Sequence, residues 1–172
     1  ITYYVLNDES QQAGDEFVIS ESGVHTVRYW SVDVAGNTEA EKLAEIWVDT
    51  VAPSISYTLS SPANEHGWHR EPVTITFICA DSPSGIASCS EPQTISVDGA
   101  DQPVTGTAFD NAGNSATSTA VVNLDQTPPQ ISAGQTPAAN ANGWNNTSVV
   151  VTFVCNDALS GIVNCPDPVT VG

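Results

Sequence analysis

The chain has 172 residues, with 20 acidic and 3 basic side chains and a formal net charge of −17. This charge repels phosphate backbones and anionic lipid surfaces, so it argues against nucleic acid as a partner. Apolar residues make up 40% of the sequence and alternate with polar ones in short runs, which argues against disorder and predicts β-strands. No run approaches the ~20 apolar residues that a membrane-spanning helix needs.

Residues 1–49 have the pattern of the second half of a small β-domain. Apolar runs predict four strands, at 1–6, Phe17-Val18-Ile19, 23–32 and 46–48. Before the last run stands Asp33-Val34-Ala35-Gly36-Asn37, in which Gly and Asn accept positive φ. The Asp carboxylate at the head of such a string can bond to nearby backbone N–H groups. We expect this string to form a hairpin loop.

Residues 50–125 form the one complete unit of the sequence. A Pro-containing linker is followed by runs that predict strands at 55–59, 73–79, 86–89, 94–97, 104–109 and 120–124. Val73, Ile75, Phe77 and Cys79 share one face of the second strand, because strand side chains alternate, and this face is predicted to enter the core.

Two turns are predicted in the second half of the same unit. Asp98-Gly99-Ala100-Asp101 contains an Asp-Gly step and predicts a tight hairpin between the two strands around it. Asp110-Asn111-Ala112-Gly113-Asn114 repeats the earlier Ala-Gly-Asn string and predicts a second hairpin loop of the same kind.

The third segment, residues 126–172, repeats the first half of the central unit. The residues that recur do so 76 positions later, namely Asp49 and Asp125, Trp68 and Trp144, Cys79 and Cys155, and Cys89 and Cys165. Such a spacing fits a string of whole small domains better than solenoid repeats of about 20–50 residues. We interpret the chain as a window on a longer array. The rarer alternative is that its incomplete halves complete each other between neighbouring chains.

The four cysteines form two pairs, Cys79 with Cys89 and Cys155 with Cys165, each ten residues apart. Two cysteines without clustered histidines cannot build a four-ligand zinc site. A disulfide within each repeat is therefore predicted, and it implies export to an oxidising compartment.

The order of these motifs resembles the bacterial immunoglobulin-like repeats of large surface adhesins, stalks and secreted multidomain enzymes. Residues 50–125 carry the full set: a Thr- and Pro-containing linker, Gly-Trp, Cys-x-Asp, Ser-Gly-Ile, a second Cys, Asp-x-Ala-Gly-Asn and a closing Asp. The resemblance implies an all-β fold of tandem immunoglobulin-like β-sandwiches joined by short Pro-containing linkers. Residues 1–49 and 126–172 would then be the C-terminal and N-terminal halves of two further domains.

The function implied is that of a structural spacer in an extracellular or cell-surface rod, adhesin or fibre. Its partners would be the neighbouring domains of the same chain and other copies in a fibre. The alternatives are a module that binds a glycan or protein, and an accessory region of a secreted enzyme. No nucleophile elbow, HExxH motif or phosphate loop is present, so no catalytic site is predicted.

The resemblance also implies calcium at the domain joints. In a sandwich of this topology the incoming linker, the loop after the second strand and the last hairpin loop lie at one end. The ligands expected there are Asp49, Asp81, Asp110 and Asn114 at one joint, and Asp125 and Asp157 at the next. Calcium prefers about six to eight oxygen ligands, mainly carboxylates and carbonyls. The alternative is that each Asp only caps its own turn.

Trp68 and Trp144 stand in the same polar loop of the two copies. An exposed Trp beside polar groups can stack on a sugar or anchor a protein partner, whereas a packed one would close the end of its own domain. His66 and His69 could suggest a metal pair, but the copy has Asn142 and Asn145 at those positions. A structural metal of the repeat would retain its ligands, which argues against this pair.

Overall fold

The computed structural model describes every residue from Ile1 to Gly172. The protein is all-β, with thirteen strands in four antiparallel sheets. It contains no helix with the length and apolar character needed to cross a membrane. The chain divides into two compact units. The first consists of Ile1–Thr58, Thr76–Pro92 and Thr105–Thr119, and the second of Leu59–Ile75, Gln93–Val104 and Ala120–Gly172.

The first sheet is built from β1 (Thr2–Leu6), β2 (Gln12–Ala13), β3 (Gly23–Ser31) and β4 (Lys42–Val48) in the order β2-β1-β3-β4. Strand alternation buries His25 and Val27 of β3, while the residues between and beside them are more exposed. Val27 lies opposite Ala44 of β4. Because the Asp33–Asn37 loop joins these two strands, β3 and β4 form the hairpin predicted from the sequence.

The strand predicted at Phe17-Val18-Ile19 is wrong. Residues 14–22 carry no strand, and the short β2 lies instead within the predicted polar loop. Phe17 stacks on Tyr4, with ring centroids 4.4 Å apart and an interplanar angle of 17°. The side chain of Phe17 therefore holds this segment against the sheet. The apolar run reflects this aromatic contact and not the pairing of a strand.

Six strands follow in residues 54–124: β5 (Ser54–Leu59), β6 (Val73–Ala80), β7 (Ile86–Cys89), β8 (Gln93–Ile95), β9 (Gly99–Asp110) and β10 (Ser115–Leu124). They form two three-stranded sheets, with orders β5-β6-β8 and β10-β9-β7. The predicted apolar face of β6 is confirmed, because Val73 and Ile75 are 0% exposed and Phe77 is 6% exposed. On β10 the alternation buries Ala120, Val122 and Leu124.

Phe77 requires a glycine on the facing strand. A Cβ atom built on Gly106 of β9 would stand 2.5 Å from carbon atoms of the Phe77 ring. The ring therefore lies directly against the backbone of β9, which only glycine allows. This contact brings β6 and β9, which belong to different sheets, within van der Waals reach in the first unit.

The hairpin predicted at Asp98-Gly99 is wrong. β8 pairs with β6, whereas β9 pairs with β7, so the chain passes from one sheet to the other at this step. A two-residue hairpin turn of the Asp-Gly type requires positive φ at the glycine, and the positive φ here is at Asp101, not at Gly99. The Asp98 carboxylate accepts hydrogen bonds from Gln126 N–H at 2.9 Å and from the Thr127 hydroxyl at 2.9 Å.

The last sheet contains β11 (Gln130–Thr136), β12 (Val149–Asn156) and β13 (Val169–Val171) in the order β11-β12-β13. Both predicted disulfides are confirmed. Cys79–Cys89 joins β6 to β7, and therefore links two sheets, with the Cα atoms 6.0 Å apart. Cys155–Cys165 ties β12 to the segment before β13, with a Cα separation of 5.8 Å. The two bonds indicate an oxidising environment.

Candidate functional site

The two Ala-Gly-Asn loops share one hydrogen bond, in which the Asp carboxylate accepts from the backbone N–H of the Asn four residues later. Asp110 Oδ1 accepts hydrogen bonds from Gly113 N–H at 2.7 Å and from Asn114 N–H at 2.8 Å. Asp33 Oδ1 accepts from Asn37 N–H at 2.7 Å. Gly36 and Gly113 adopt φ of 90° and 98°, which explains the glycine in each copy.

Asp110 belongs to a group of three carboxylates that we call the acidic cluster: Asp49, Asp81 and Asp110. One carboxylate oxygen from each residue lies within 4.8 Å of those of the other two. Asp110 is 2% exposed, and the other two are half-buried. Three elements meet here, because Asp49 follows β4, Asp81 follows β6 and Asp110 ends β9. All three residues belong to the first unit.

The Asp49 carboxylate holds the segment between β4 and β5 to the loop after β6. Its Oδ1 accepts a hydrogen bond from Val51 N–H at 3.0 Å, and its Oδ2 accepts one from Ser84 N–H at 3.1 Å. The Ser84 side chain, and after it the backbone N–H groups of Val51 and Ser84, lower the pKa of the Asp49 carboxyl below its ordinary value. Asp49 is therefore ionised at neutral pH.

Asp81 organises the loop that carries Ser84. Its Oδ2 accepts hydrogen bonds from Gly85 N–H at 2.9 Å and from the Ser84 hydroxyl at 3.2 Å. Gly85 has φ of 78°, which turns its N–H back toward the carboxylate. The recurring Ser-Gly step thus presents hydrogen-bond donors to the carboxylates of Asp49 and Asp81. The sequence did not predict this role for Ser84.

Asn114 is placed next to the acidic cluster as a donor. Its amide nitrogen donates to Asp110 Oδ2 at 2.8 Å, to the Asp49 carbonyl at 3.2 Å and to the Val51 carbonyl at 3.3 Å. A calcium ligand would present the amide oxygen instead. In this arrangement Asn114 ties the hairpin loop to the segment between β4 and β5, and its amide would have to turn over to coordinate a cation.

No salt bridge involves the acidic cluster, since the ion pairs of the protein lie at Arg28, Lys42 and His66. Its charges are therefore moderated only by hydrogen-bond donors and solvent. Three carboxylates this close repel one another, and a divalent cation would remove that repulsion. The side chains supply oxygens of the type calcium prefers, and Asp81 Oδ1 accepts no hydrogen bond. The cluster thus fits an oxygen-preferring cation, which Asp49, Asp81 and Asp110 would hold.

Equivalent hydrogen bonds recur in the second unit. Asp125 Oδ1 accepts from Thr127 N–H at 3.0 Å, and its Oδ2 accepts from Ser160 N–H at 3.0 Å. Asp157 Oδ1 accepts from Gly161 N–H at 2.8 Å. The Ser160 side chain, and then the N–H groups of Ser160 and Thr127, lower the pKa of Asp125. This copy has two of the three carboxylates.

The two Gly-Trp loops are also copies of each other. Asn64 Oδ1 accepts hydrogen bonds from His66 N–H at 3.0 Å and Trp68 N–H at 2.9 Å. Asn140 Oδ1 accepts from Asn142 N–H at 2.9 Å and from Trp144 N–H at 3.0 Å. Asn64 and Asn140 were not identified from the sequence, although their 76-residue spacing was available as a signal.

The two tryptophans of these loops differ in exposure. Trp68 is half-buried, whereas Trp144 is 74% exposed. Of the two histidines beside Trp68, His66 is exposed and His69 is buried with no hydrogen-bond partner for its Nδ1 atom. The Trp68 side chain is thus partly covered, whereas the Trp144 side chain is open to solvent.

An apolar recess adjoins the acidic cluster in the first unit. It has a volume of about 300 Å³ and is lined by Val24, Trp47, Pro83 and Ala112 together with Asp49 and Ser84. Val24 and Trp47 are cross-strand neighbours of β3 and β4, and they are 54% and 75% exposed. Trp47 therefore lies on an outer face, beside the segment that leaves β4.

Comparison with models of protein families, with curated proteins and with solved structures gives no match to this chain.

Proposed function

We propose that this protein is a structural segment of an extracellular rod, adhesin or fibre built from tandem immunoglobulin-like domains. One observation carries the proposal. Two linker aspartates stand 76 residues apart, and each accepts a backbone hydrogen bond from a loop further along the chain. Asp49 accepts from Ser84 in the loop after β6, and Asp125 accepts from Ser160 in the loop after β12. A stiff spacer requires such hydrogen bonds at each of its joints, since Gly- and Ser-rich linkers without them are flexible.

The sandwich architecture of the complete domain is part of this proposal. Support comes from the six strands of residues 54–124 in two sheets and from the contact of Phe77 with Gly106 between sheets. The Cys79–Cys89 bond also links the two sheets. The domain boundaries proposed are 1–49, 50–125 and 126–172, which follow the sequence period and not the two compact units.

The setting proposed is extracellular, at a cell surface or in a secreted fibre. The two disulfides support an oxidising compartment, and the net charge of −17 argues against nucleic acid as a partner. The partners proposed are the neighbouring domains of the same chain and other copies in a fibre. We assign no catalytic role to these residues, and a hydrolase screen of the purified chain would test that assignment.

We further propose that calcium occupies the acidic cluster and stiffens the joint. The convergence of Asp49, Asp81 and Asp110 within 4.8 Å supports this proposal. Because Asp49 follows β4 and Asp110 ends β9, a cation between them would add a link beyond the hydrogen bonds. The chemistry it would supply is charge neutralisation and cross-linking of loops.

A binding module is the second candidate function. It is favoured by the exposure of Trp47 and Trp144, at 75% and 74%, because exposed aromatic rings are common anchors for sugars and protein partners. A glycan array probed with the wild type and with Trp144→Ala separates this candidate from a spacer. Binding lost in the variant would favour the module.

Nuclear magnetic relaxation of backbone amides tests the stiff joint directly. We expect residues 1–48 and 54–125 of the purified chain to share one rotational correlation time in calcium. Asp49→Ala removes the acceptor for Val51 and Ser84 and is expected to give two different correlation times. Asp49→Asn retains one amide oxygen acceptor, so we expect an intermediate result.

Glu91→Gln is the charge-matched control, because Glu91 is exposed and lies outside the acidic cluster. It should behave as the wild type. Independent tumbling of the two segments in the wild type, with and without calcium, would contradict the rod and favour a flexible tether.

A further inference from the structure

The β11-β12-β13 sheet presents an apolar face that is less covered than the same face in the central repeat. Phe77 is 6% exposed, whereas Phe153, which stands 76 residues later, is half-buried. Val73 and Ile75 are 0% exposed, whereas Val149 and Val151 are half-buried.

The outer strands of this sheet follow the same trend. Ile55 and Ile95 are half-buried in the central repeat, but their equivalents Ile131 and Val171 are 61% and 60% exposed. Ile131 lies opposite Cys155 and Val171 opposite Val149. Since directly opposed side chains share a face, all of these residues belong to one surface, which we call the acceptor face.

The central repeat indicates what belongs on the acceptor face. There, β9 and β10 carry the complementary buried residues, among them Val104, Ala120 and Val122, at 4%, 1% and 1% exposure. Phe77 lies against Gly106 of β9 so closely that any side chain at that position would meet the ring. A covering strand pair therefore needs small or branched apolar residues at alternate positions and a glycine opposite the phenylalanine.

We propose that the acceptor face binds a strand pair of the type formed by residues 99–124, with its Gly106 seated against Phe153. This inference rests on the repeat architecture of the proposed function. Backbone hydrogen bonds are not the source of selectivity, because the contact is face to face. Selectivity comes from the glycine, since a Cβ atom in its place would require the Phe153 ring to move out of a packed position.

The strand pair of residues 23–48 does not meet this requirement. Counting back 77 residues, as from Asp110 to Asp33, Tyr29 stands at the position of Gly106. Tyr29 shares the inner face of β3 with Val27 and lines a recess of about 280 Å³ together with Tyr4 and Phe17. Its ring would collide with Phe153, which argues against a second copy of this chain as the partner through that hairpin.

A synthetic peptide of residues 99–125, labelled at its N-terminus, tests the proposal by fluorescence anisotropy with the 172-residue chain. We expect saturable binding. A peptide with Gly106→Val should bind at least about tenfold more weakly, the effect expected from forcing extra carbon atoms against a packed ring. The chain variant Ile131→Asp should lose binding, because Ile131 is exposed in the free chain and would be buried in the complex.

Val154→Asp is the matched chain control, because Val154 is 62% exposed and lies on the opposite face of β12. It should bind the peptide as the wild type does. Absence of binding, equal binding of both peptides, or binding unaffected by Ile131→Asp would each overturn the proposal. If the chain forms concentration-dependent oligomers that the peptide does not dissociate, the occupant of the acceptor face is a second copy of the chain. A stiff, calcium-dependent joint at Asp49 would stand in any of these cases.

Discussion

The Oδ2 atom of Asp49 accepts a hydrogen bond from the backbone N–H of Ser84 at 3.1 Å, although 35 residues separate them. The equivalent bond joins Asp125 and Ser160 at 3.0 Å, across the same separation. Each bond connects the segment before one strand, β5 or β11, to the loop that follows the next strand, β6 or β12. A long-range contact therefore recurs together with the residue types that form it. The effects of equivalent substitutions at Asp49 and Asp125 can be compared within one molecule.

Removal of the linker carboxylate should destabilise the loop that it holds. Asp49→Ala leaves the N–H groups of Val51 and Ser84 without their acceptor, so we expect a melting temperature several degrees below that of the wild type. Asp49→Asn should have a smaller effect because one acceptor oxygen remains. Differential scanning calorimetry of both variants, with Glu91→Gln as the control, measures the difference. Equal melting of all four proteins would contradict a stabilising role.

Calcium should raise the melting temperature of the transition that includes the acidic cluster. At a free concentration about 100-fold above Kd, one site stabilises by about 2.7 kcal/mol, which corresponds to roughly 10–20 °C for a domain of this size. Asp81→Asn removes one of the three charges and should abolish most of the rise. Melting curves in calcium and in chelator give the comparison, and identical curves for the wild type would show that the carboxylates only cap their turns.

Loss of the Cys79–Cys89 bond should destabilise the central repeat by about 3 kcal/mol on the chain-entropy model for a loop of this length. The pair Cys79→Ala and Cys89→Ala tests this by urea unfolding, with the pair Cys155→Ala and Cys165→Ala as the comparison. Peptide mapping without reductant should recover each bond within its own repeat. Free thiols, or a bridge between repeats, would contradict the assignment.

Gly106→Ala should destabilise the protein by about 1–3 kcal/mol, because the added Cβ would lie 2.5 Å from the Phe77 ring. Phe77→Leu in the same chain should recover part of that loss, since a smaller side chain makes room. Gly134→Ala is the matched control, because no atom lies within 4 Å of a Cβ at that position. A loss for Gly106→Ala no larger than for Gly134→Ala would contradict the close contact.

Acidification should remove the contribution of the linker carboxylates. The folded pKa values of Asp49 and Asp125 are lowered, so their stabilisation is complete above the unfolded value of about 3.9. It is then lost as the pH falls through the folded pKa values. Urea midpoints measured from neutral pH to the acid range should drop below about pH 4, and the double variant Asp49→Asn and Asp125→Asn should give a flatter curve. Parallel curves would refute this assignment.

Local pattern alone was sufficient for much of the architecture. The alternation in β6 predicted a buried face at Val73, Ile75 and Phe77, and the recurrence of one cysteine pair 76 residues later predicted both disulfides. These features depend on local chemistry, namely strand alternation and the single way in which the two cysteines of one repeat can pair. The two Ala-Gly-Asn loops were also predicted from local chemistry, because glycine readily adopts the positive φ that each turn requires.

Only the tertiary structure decided which segments meet. Asp98-Gly99 has the sequence of a hairpin, but β8 and β9 belong to different sheets, because pairing with β6 and β7 outweighs the local turn preference. The ring of Tyr4, not strand pairing, holds Phe17. The importance of Ser84 and Gly106 has no local signal in the sequence. Ser84 acts through a backbone N–H that donates to a distant carboxylate. Gly106 acts through the absence of a side chain beneath Phe77.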